Sequence, residues 1–384
     1  MRNKSIFLLT AAVGIIGANS LVLSPIAAEV ARGLGVENAA TVMIASAIYG
    51  LGVAASALTL APRADRIGAD KALGWALLVL CVSLFASAFS PNILVLATTQ
   101  GIAGIGAGMA LPATYSLAAQ IAPPGKESQT MGTVLTGWTL SLVGGVTASA
   151  YIADFAGWRS VYLILAAGMA LIAIAISRSQ FEGISATGRS TSPITALKLP
   201  GVIPGLFAVA CLGTGFYGFY NYLGAHLERE LLLPISAAGP LTLSYGLGFA
   251  LSIIFDRHLN KIGPRRGLAV TFSVLTVLYL IMAAWAMNYK ILVGLMFVWG
   301  MVQHVGLNLT VGRLAAIDPT QRGAIMGLNS TMMYLAVFAA TVVFKPLFEH
   351  FGIVGCAIAA SVIVTFGAGE ALFARLAATR KNAV

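Results

Sequence analysis

Tyr49-Gly50-Leu51-Gly52 recurs as Tyr245-Gly246-Leu247-Gly248, an offset of 196 in a chain of 384 residues. After one deletion the offset becomes 195: Ile67-Gly68 pairs with Ile262-Gly263, Leu73 with Leu268, Pro124 with Pro319, Met131-Gly132 with Met326-Gly327 and Gly157 with Gly352. Composition alone supplies one such match, because Gly, Leu and Ala are abundant. A register held along most of two half-chains needs a duplication. Both tetrads lie inside apolar runs long enough to form helices.

Twelve such runs are countable, at 6–31, 39–62, 72–91, 93–121, 130–153, 158–177, 202–226, 237–255, 267–287, 291–316, 324–347 and 351–373. A helix crossing hydrocarbon needs about 20 apolar residues. Twelve spans would use about 240 of the chain, which leaves only short loops and no large soluble domain. The composition agrees: 58% apolar and 9% charged, with a mean hydropathy of +0.90. A soluble domain carries about 25% charged residues, and disorder needs low hydrophobicity with high charge. Both are excluded. The net charge of +10 comes from 23 basic residues spread among apolar runs; they form no stripe for nucleic acid. Arg2 and Lys4 precede an apolar stretch from Ser5 to about Ala28, which is longer than the core of a signal peptide and reads as a retained first helix. Cys81, Cys211 and Cys356 are scattered through apolar runs and read as small buried hydrophobes.

Charge sets the expected orientation. With the N-terminus inside, 18 of the 23 Lys and Arg fall in the cytoplasm and only Arg32, Arg159, Arg229, Lys290 and Lys345 outside. This bias predicts an inner-membrane, multi-pass chain with both termini cytoplasmic. The longest polar interruption, Arg178 to Leu199, divides the spans six and six. The expectation is an all-α membrane protein of twelve transmembrane helices in two pseudo-symmetric six-helix bundles, 1–178 and 201–384, joined by a flexible cytoplasmic linker at 179–200. Secondary transporters place a midplane site between such repeats.

The loop Ala61-Pro62-Arg63-Ala64-Asp65-Arg66-Ile67-Gly68-Ala69-Asp70-Lys71 resembles the Gly-x-x-x-Asp-Arg-x-Gly-Arg-Lys signature of the major facilitator superfamily. Asp65, Arg66 and Gly68 match in register; Ala61, Ala69 and Asp70 depart. The resemblance implies a conformational lock at Asp65, Arg66 and Gly68 that holds the outward-facing state. The fifth span, Gly137 to Val146 followed by Gly157-Trp158-Arg159, is similar to drug and sugar exporters of the arabinose-efflux-like (AraJ-like, DHA1-type) branch, but lacks their Pro beside the glycines. In the fourth span Gln100 stands four residues before Gly104, where those exporters often carry an Arg. The series Gly101, Gly104 and Gly108 serves close packing.

The resemblance implies a cavity lined by the first, fourth, seventh and tenth spans, which makes Asn19, Gln100, Tyr217, Tyr220, Asn221, His304 and Asn308 the expected substrate-binding set. His304, halfway along the tenth span with Asn308 one turn on, reads either as the proton-coupling residue or as a histidine satisfied by a neighbouring helix. The seventh-span aromatics suit an amphipathic substrate or anchor the helix at an interface. Asn19 and Asn329 need partners or a cavity. Arg313 is expected to snorkel to the cytoplasm, and Lys345 to pair with Glu349. The leading reading is export of a small organic compound by alternating access with proton antiport; an importer or uncoupled facilitator is the alternative. An enzyme is disfavoured, since the four His are scattered and no carboxylates pair, and a receptor on the same fold is a remote reading. No phosphate-binding Gly-x-x-x-x-Gly-Lys motif occurs. The expected partners are the bilayer, a small organic substrate and protons, with no cofactor, metal or nucleic acid, and a monomeric chain.

Overall fold

A computed structural model describes residues 2–60, 68–123, 126–179, 193–255, 264–318 and 320–381. Asp65 and Arg66 of the expected lock lie outside the described residues. Ten described helices are long and apolar enough to cross a membrane, and the last, Arg322–Leu372, is broken in two at Gly352, where φ is +62°. The shorter apolar helix Ile235–Leu251 completes twelve spans. In chain order they are α1 (Asn3–Leu21), α2 (Ala39–Thr59), α3 (Ala69–Ala88), α4 (Ile93–Ile121), α5 (Thr130–Ala156), α6 (Trp158–Ser177), α7 (Val202–Arg229), α8 (Ile235–Leu251), α9 (Arg266–Ala284), α10 (Tyr289–Ala315), α11 (322–351) and α12 (353–372).

The ends of these helices repeat as the sequence does. Asn92 caps α4 by accepting from the Val95 amide at 3.0 Å, and Asn288 caps α10 by accepting from Ile291 at 3.2 Å; each satisfies an amide that the first turn leaves open. Gly157 and Gly352 both adopt positive φ between the fifth and sixth helix of their half. Asn92 and Asn288 are 196 apart, so the offset of 195 expected beyond the tetrads does not hold throughout. The helix Pro264–Ala284 has 21 residues against 20 in Ala69–Ala88, and this extra residue restores 196 along α4 and α10.

Packing obeys the same symmetry. Within the first half α2 and α3 pack on α4, α3 on α6, and α1 on α5; α8 and α9 pack on α10, α9 on α12, and α7 on α11 in the second. Between the halves, α2 lies on α11 and α8 on α5.

Successive helical residues point about 100° apart, and each residue of the tetrad serves one direction. Tyr49 and Tyr245 turn inward: Tyr49 meets the Tyr334 ring at 6.2 Å, and Tyr245 meets Phe216 at 5.6 Å and Trp299 at 5.0 Å. Gly50 and Gly246 face the opposite half. A Cβ on Gly50 would stand 2.9 Å from the Tyr334 carbonyl oxygen of α11, and one on Gly246 would stand 3.0 Å from the Val143 amide of α5. Leu51 and Leu247 point outward, 40% and 41% exposed. Gly52 and Gly248 face their own half, where a Cβ would overlap the carbonyl oxygen of Gly101 in α4 or Phe297 in α10. The approach is reciprocal, because Gly104 and Gly300 admit the carbonyls of Tyr49 and Tyr245. Small residues bring backbones this close where lipid supplies no hydrophobic drive between helices.

One end of the molecule is sealed. α1 continues past a break at Val22 into the helix Leu23–Leu34, and α7 breaks after Tyr220 and continues as Leu223–Arg229. The two extensions cross where Gly224 lies against the Ser24 carbonyl and the Ser24 hydroxyl donates to the Tyr220 carbonyl at 2.5 Å. Beside them Asn38 donates to Glu349 at 3.2 Å, and Arg32 stands 4.0 Å from Glu228. Two further described hydrogen bonds join the halves: the Tyr220 hydroxyl donates to the Leu21 carbonyl at 3.4 Å, and Thr147 bonds Thr242 at 3.2 Å toward the same end. Lys345 and Glu349 pair at 3.7 Å, as their spacing predicted.

Because a backbone oxygen cannot swing aside, Gly248→Ala is expected to lower stability by about 1–3 kcal/mol, whereas Leu247→Ala at the outward position changes it little. Thermal unfolding in one detergent checks this; equal losses would refute the directional reading of the tetrad.

Candidate functional site

The interior has two chemically different walls. In the first half Asn19 Nδ2 donates to Gln100 Oε1 at 3.1 Å, Gln100 Nε2 donates to Ser87 Oγ at 3.0 Å, and the Ser87 hydroxyl reaches Thr99 Oγ1 at 2.9 Å. This chain runs across α1, α4 and α3 and is buried throughout. Gln100 makes bonds without charge where an Arg would have brought a cation, so the chain organises donors and acceptors through neutral groups alone. One group remains open: Asn19 Oδ1 is buried without a hydrogen bond. The neighbouring Ser20 hydroxyl donates to Tyr49 Oη at 2.9 Å.

The second wall is aromatic. Phe216 stands at its centre, 4.8 Å from Tyr217, 5.2 Å from Tyr220 in a stacked pair, 5.6 Å from Tyr245 and 5.1 Å from Trp299. Trp299 Nε1 donates to Tyr279 Oη at 3.2 Å, and Tyr245 leads on to Phe249 at 6.2 Å. Phe249 then meets the His304 ring edge-to-face at 4.8 Å, and Asn308 Nδ2 lies 3.5 Å from His304 Nε2. Rings with buried polar tips present faces and a few directed hydrogen bonds. Such a surface fits a molecule with an apolar body and scattered polar groups.

The expected site residues thus fall into groups. Asn19 and Gln100 bond each other directly, Tyr217 and Tyr220 meet through Phe216, and His304 and Asn308 join the same aromatic series through Phe249. Asn221 is placed elsewhere: its Nδ2 donates to Thr341 Oγ1 of α11 at 2.8 Å, an internal bond within the second half. Asn329 also lies inside, its Oδ1 buried without a hydrogen bond. Among the described residues no cluster of His, Cys, Asp and Glu is arranged to hold a metal.

The profile of the Major Facilitator Superfamily matches residues 8–341. The chain belongs to that superfamily. Among its relatives is the MFS-type transporter YwfA of Bacillus subtilis (strain 168), 25% identical over 379 residues that cover 95% of this chain and 90% of the relative. A probable sugar efflux transporter of Pasteurella multocida (strain Pm70) is 25% identical over 262 residues, 66% of this chain and 63% of that protein. The inner membrane transport protein YdhP of Escherichia coli (strain K12) is 26% identical over 285 residues, 70% of each.

Several features escaped the sequence reading. Tyr49, Tyr245, Phe249, Tyr279 and Trp299 extend the interior beyond the seventh span, and the repeated tetrads were the available signal for the first two of these. In α5 the glycine segment that lacks a Pro forms a π turn, Ser141–Val146, at the contact with α8; such turns often mark functional positions. Of the expected lock, Gly68 is described, with φ at +102° ahead of α3. Arg313 does not snorkel. It makes a bidentate pair with Glu370 of α12 at 2.8 and 2.7 Å, with side chains only 10% and 14% exposed, because a carboxylate within reach satisfies the fork better than a stretched side chain does.

Removing one partner leaves the other buried and unpaired, so Glu370→Gln is expected to destabilise by about 3–5 kcal/mol. The double change Arg313→Met with Glu370→Met should recover most of that loss in thermal unfolding. A double variant as unstable as the single would assign the effect to packing.

Proposed function

We propose that the chain exports a small organic compound across the inner membrane by alternating access, with 1–178 and 201–384 as the moving bundles and 179–200 as their cytoplasmic link. The observation that carries this reading is the aromatic wall from Tyr217 to His304 in the second half together with the neutral Asn19–Gln100 chain in the first. Rings recognise apolar surface, and the amides discriminate among polar substituents. The relative named as a probable sugar efflux transporter supports the direction. Tyr217, Tyr220, His304, Asn308, Asn19 and Gln100 contact substrate in this reading; Asn221 supports them from behind through Thr341.

Proton antiport through His304 is the coupling step of the proposal. It takes up a proton beside Phe249 and Asn308, and a charged imidazolium edge-on to a ring competes with a cationic or donor-rich substrate for the same wall. The positive-inside bias favours both termini in the cytoplasm, with the sealed end outward. The Asp65–Arg66–Gly68 lock then works at the opposite end. One observation favours an uncoupled facilitator instead: the Gln100 chain carries no charge.

Purified protein in liposomes with an imposed pH gradient separates these readings. Flux of sugars or amphiphilic compounds that collapses with the gradient, and that His304→Gln uncouples while binding persists, is the expected outcome. Equilibration indifferent to the gradient would replace antiport by facilitation. Tyr220→Ala should weaken substrate binding by roughly tenfold or more, and unchanged affinity would remove the aromatic wall from the site.

A further inference from the structure

The sealed end holds a buried acid–base pair that the transport path does not use. His226, on the α7 extension, has a fully buried side chain and stands between two acceptors. Its Nδ1 lies 2.8 Å from Glu230 Oε2, and its Nε2 lies 3.0 Å from the Ala286 carbonyl oxygen, between α9 and α10. A neutral imidazole has one N–H and one lone pair, so it donates to only one of these. The imidazolium donates to both.

Glu230 continues the connection. Its Oε1 accepts from the Ile353 amide at 3.2 Å, and the carboxylate occupies the space that a Cβ on Gly352 would take. One side-chain pair therefore joins the α7 extension, the α9–α10 connection and the break between α11 and α12. The same extension carries Gly224, which lies against Ser24, and Glu228, which faces Arg32. Whatever holds it in place holds the seal.

The surrounding charges are mixed. On α7 itself Arg229 reaches the Glu349 carbonyl at 3.4 Å. From α11, Glu349 binds Lys345 and Asn38; α12 brings the buried Cys356 thiol; from the α1 extension, Arg32 pairs with Glu29 at 2.9 Å. Burial alone would push the Glu230 carboxyl up, but the His226 hydrogen bond and charge, the Ile353 amide and Arg229 together hold it below the usual carboxylate range. A carboxyl held low contributes stability that is lost only as pH falls through its folded value.

We propose that His226 and Glu230 form a proton-binding latch: with the proton bound the latch clamps the α7 extension and keeps this end sealed, and losing it as pH rises lets the end open. When the proton leaves, one of the two imidazole contacts becomes a lone pair facing an acceptor, and the charge-assisted bond to Glu230 is lost. The latch does not depend on coupling through His304. It is a regulatory site at the seal.

Distance distributions by pulsed dipolar spectroscopy test this on the full chain in nanodiscs. Spin labels at Phe155→Cys on α5 and Val343→Cys on α11, both exposed, report the separation of the two halves near the sealed end, with Cys81, Cys211 and Cys356 changed to Ala. Between about pH 5.5 and about pH 8, either side of the ordinary histidine value, the open population is expected to rise roughly tenfold or more. His226→Gln should abolish that dependence, and so should the near-isosteric Glu230→Gln, which guards against a folding defect in the first variant. His304→Gln should retain it, so failure of the coupling proposal and failure of the latch are read separately. A distribution that does not change with pH, or one that changes equally in both latch variants, would overturn the proposal.

Discussion

Everything in this fold depends on backbones meeting without side chains between them. At Gly52 against Gly101, Gly248 against Phe297, Gly104 against Tyr49 and Gly300 against Tyr245, helices of the same half approach as closely as carbonyl and Cα allow. Lipid tails are as apolar as Leu, so burying Leu gains little inside a bilayer, and association rests on close packing and hydrogen bonds. Contacts of this kind hold α2 to α4 and α8 to α10. They also fix the rotation of α2 and α8, which aims Tyr49 and Tyr245 at the interior and Gly50 and Gly246 at the opposite half.

The contacts between halves are of another kind. Along α2 and α8, Gly50 and Gly246 leave distances of 2.9 to 3.0 Å to a hypothetical Cβ, a looser fit than at Gly52 or Gly248, whereas the tightest approach between the halves, Gly224 against the Ser24 carbonyl, lies at the sealed end. The direct bonds across the halves gather at one end, around Ser24, Tyr220, Asn38 and Glu349. The proposed alternating access asks for a body on each side of this seam, pinned at one end, so that a central site is exposed to one side at a time. Interior polar groups bond within a half, as Asn19 does with Gln100 and Asn221 with Thr341, so that separation of the halves strands few of them in lipid.

The twelve spans were legible because the apolar runs are long and the breakers between them charged or glycine-rich, and the duplication was legible because the tetrads lie in a constrained seam. Within the tetrads the meaning of each letter was not. A glycine against lipid and a glycine against a carbonyl look alike in one dimension, and only the helix rotation separates Gly50 from Gly52. The site was partly legible: Asn19 and Gln100 stood out as polar groups in apolar runs and do meet. The aromatic wall was under-read because Tyr245, Phe249 and Trp299 sit among many aromatics that sequence cannot sort into inward and outward. Arg313 was misread since its partner Glu370 lies 57 positions away, and the His226–Glu230 pair was passed over because a histidine near a helix end gives no sign that both its nitrogens face acceptors.

The central claim is that each half is rigid and that motion is confined to the seam. Its most direct test is a pair of distance distributions at the end opposite the seal, in one set of samples. Labels at Leu58 on α2 and Leu251 on α8, both exposed, span the two halves; labels at Leu58 and at Ile174 on α6, also exposed, stay within the first. The account predicts two populations or a shifted mean for the first pair when the seam is perturbed by Gly50→Ala or Gly246→Ala, with a single unchanged distance for the second. A second pair that broadens or shifts as much as the first would contradict it.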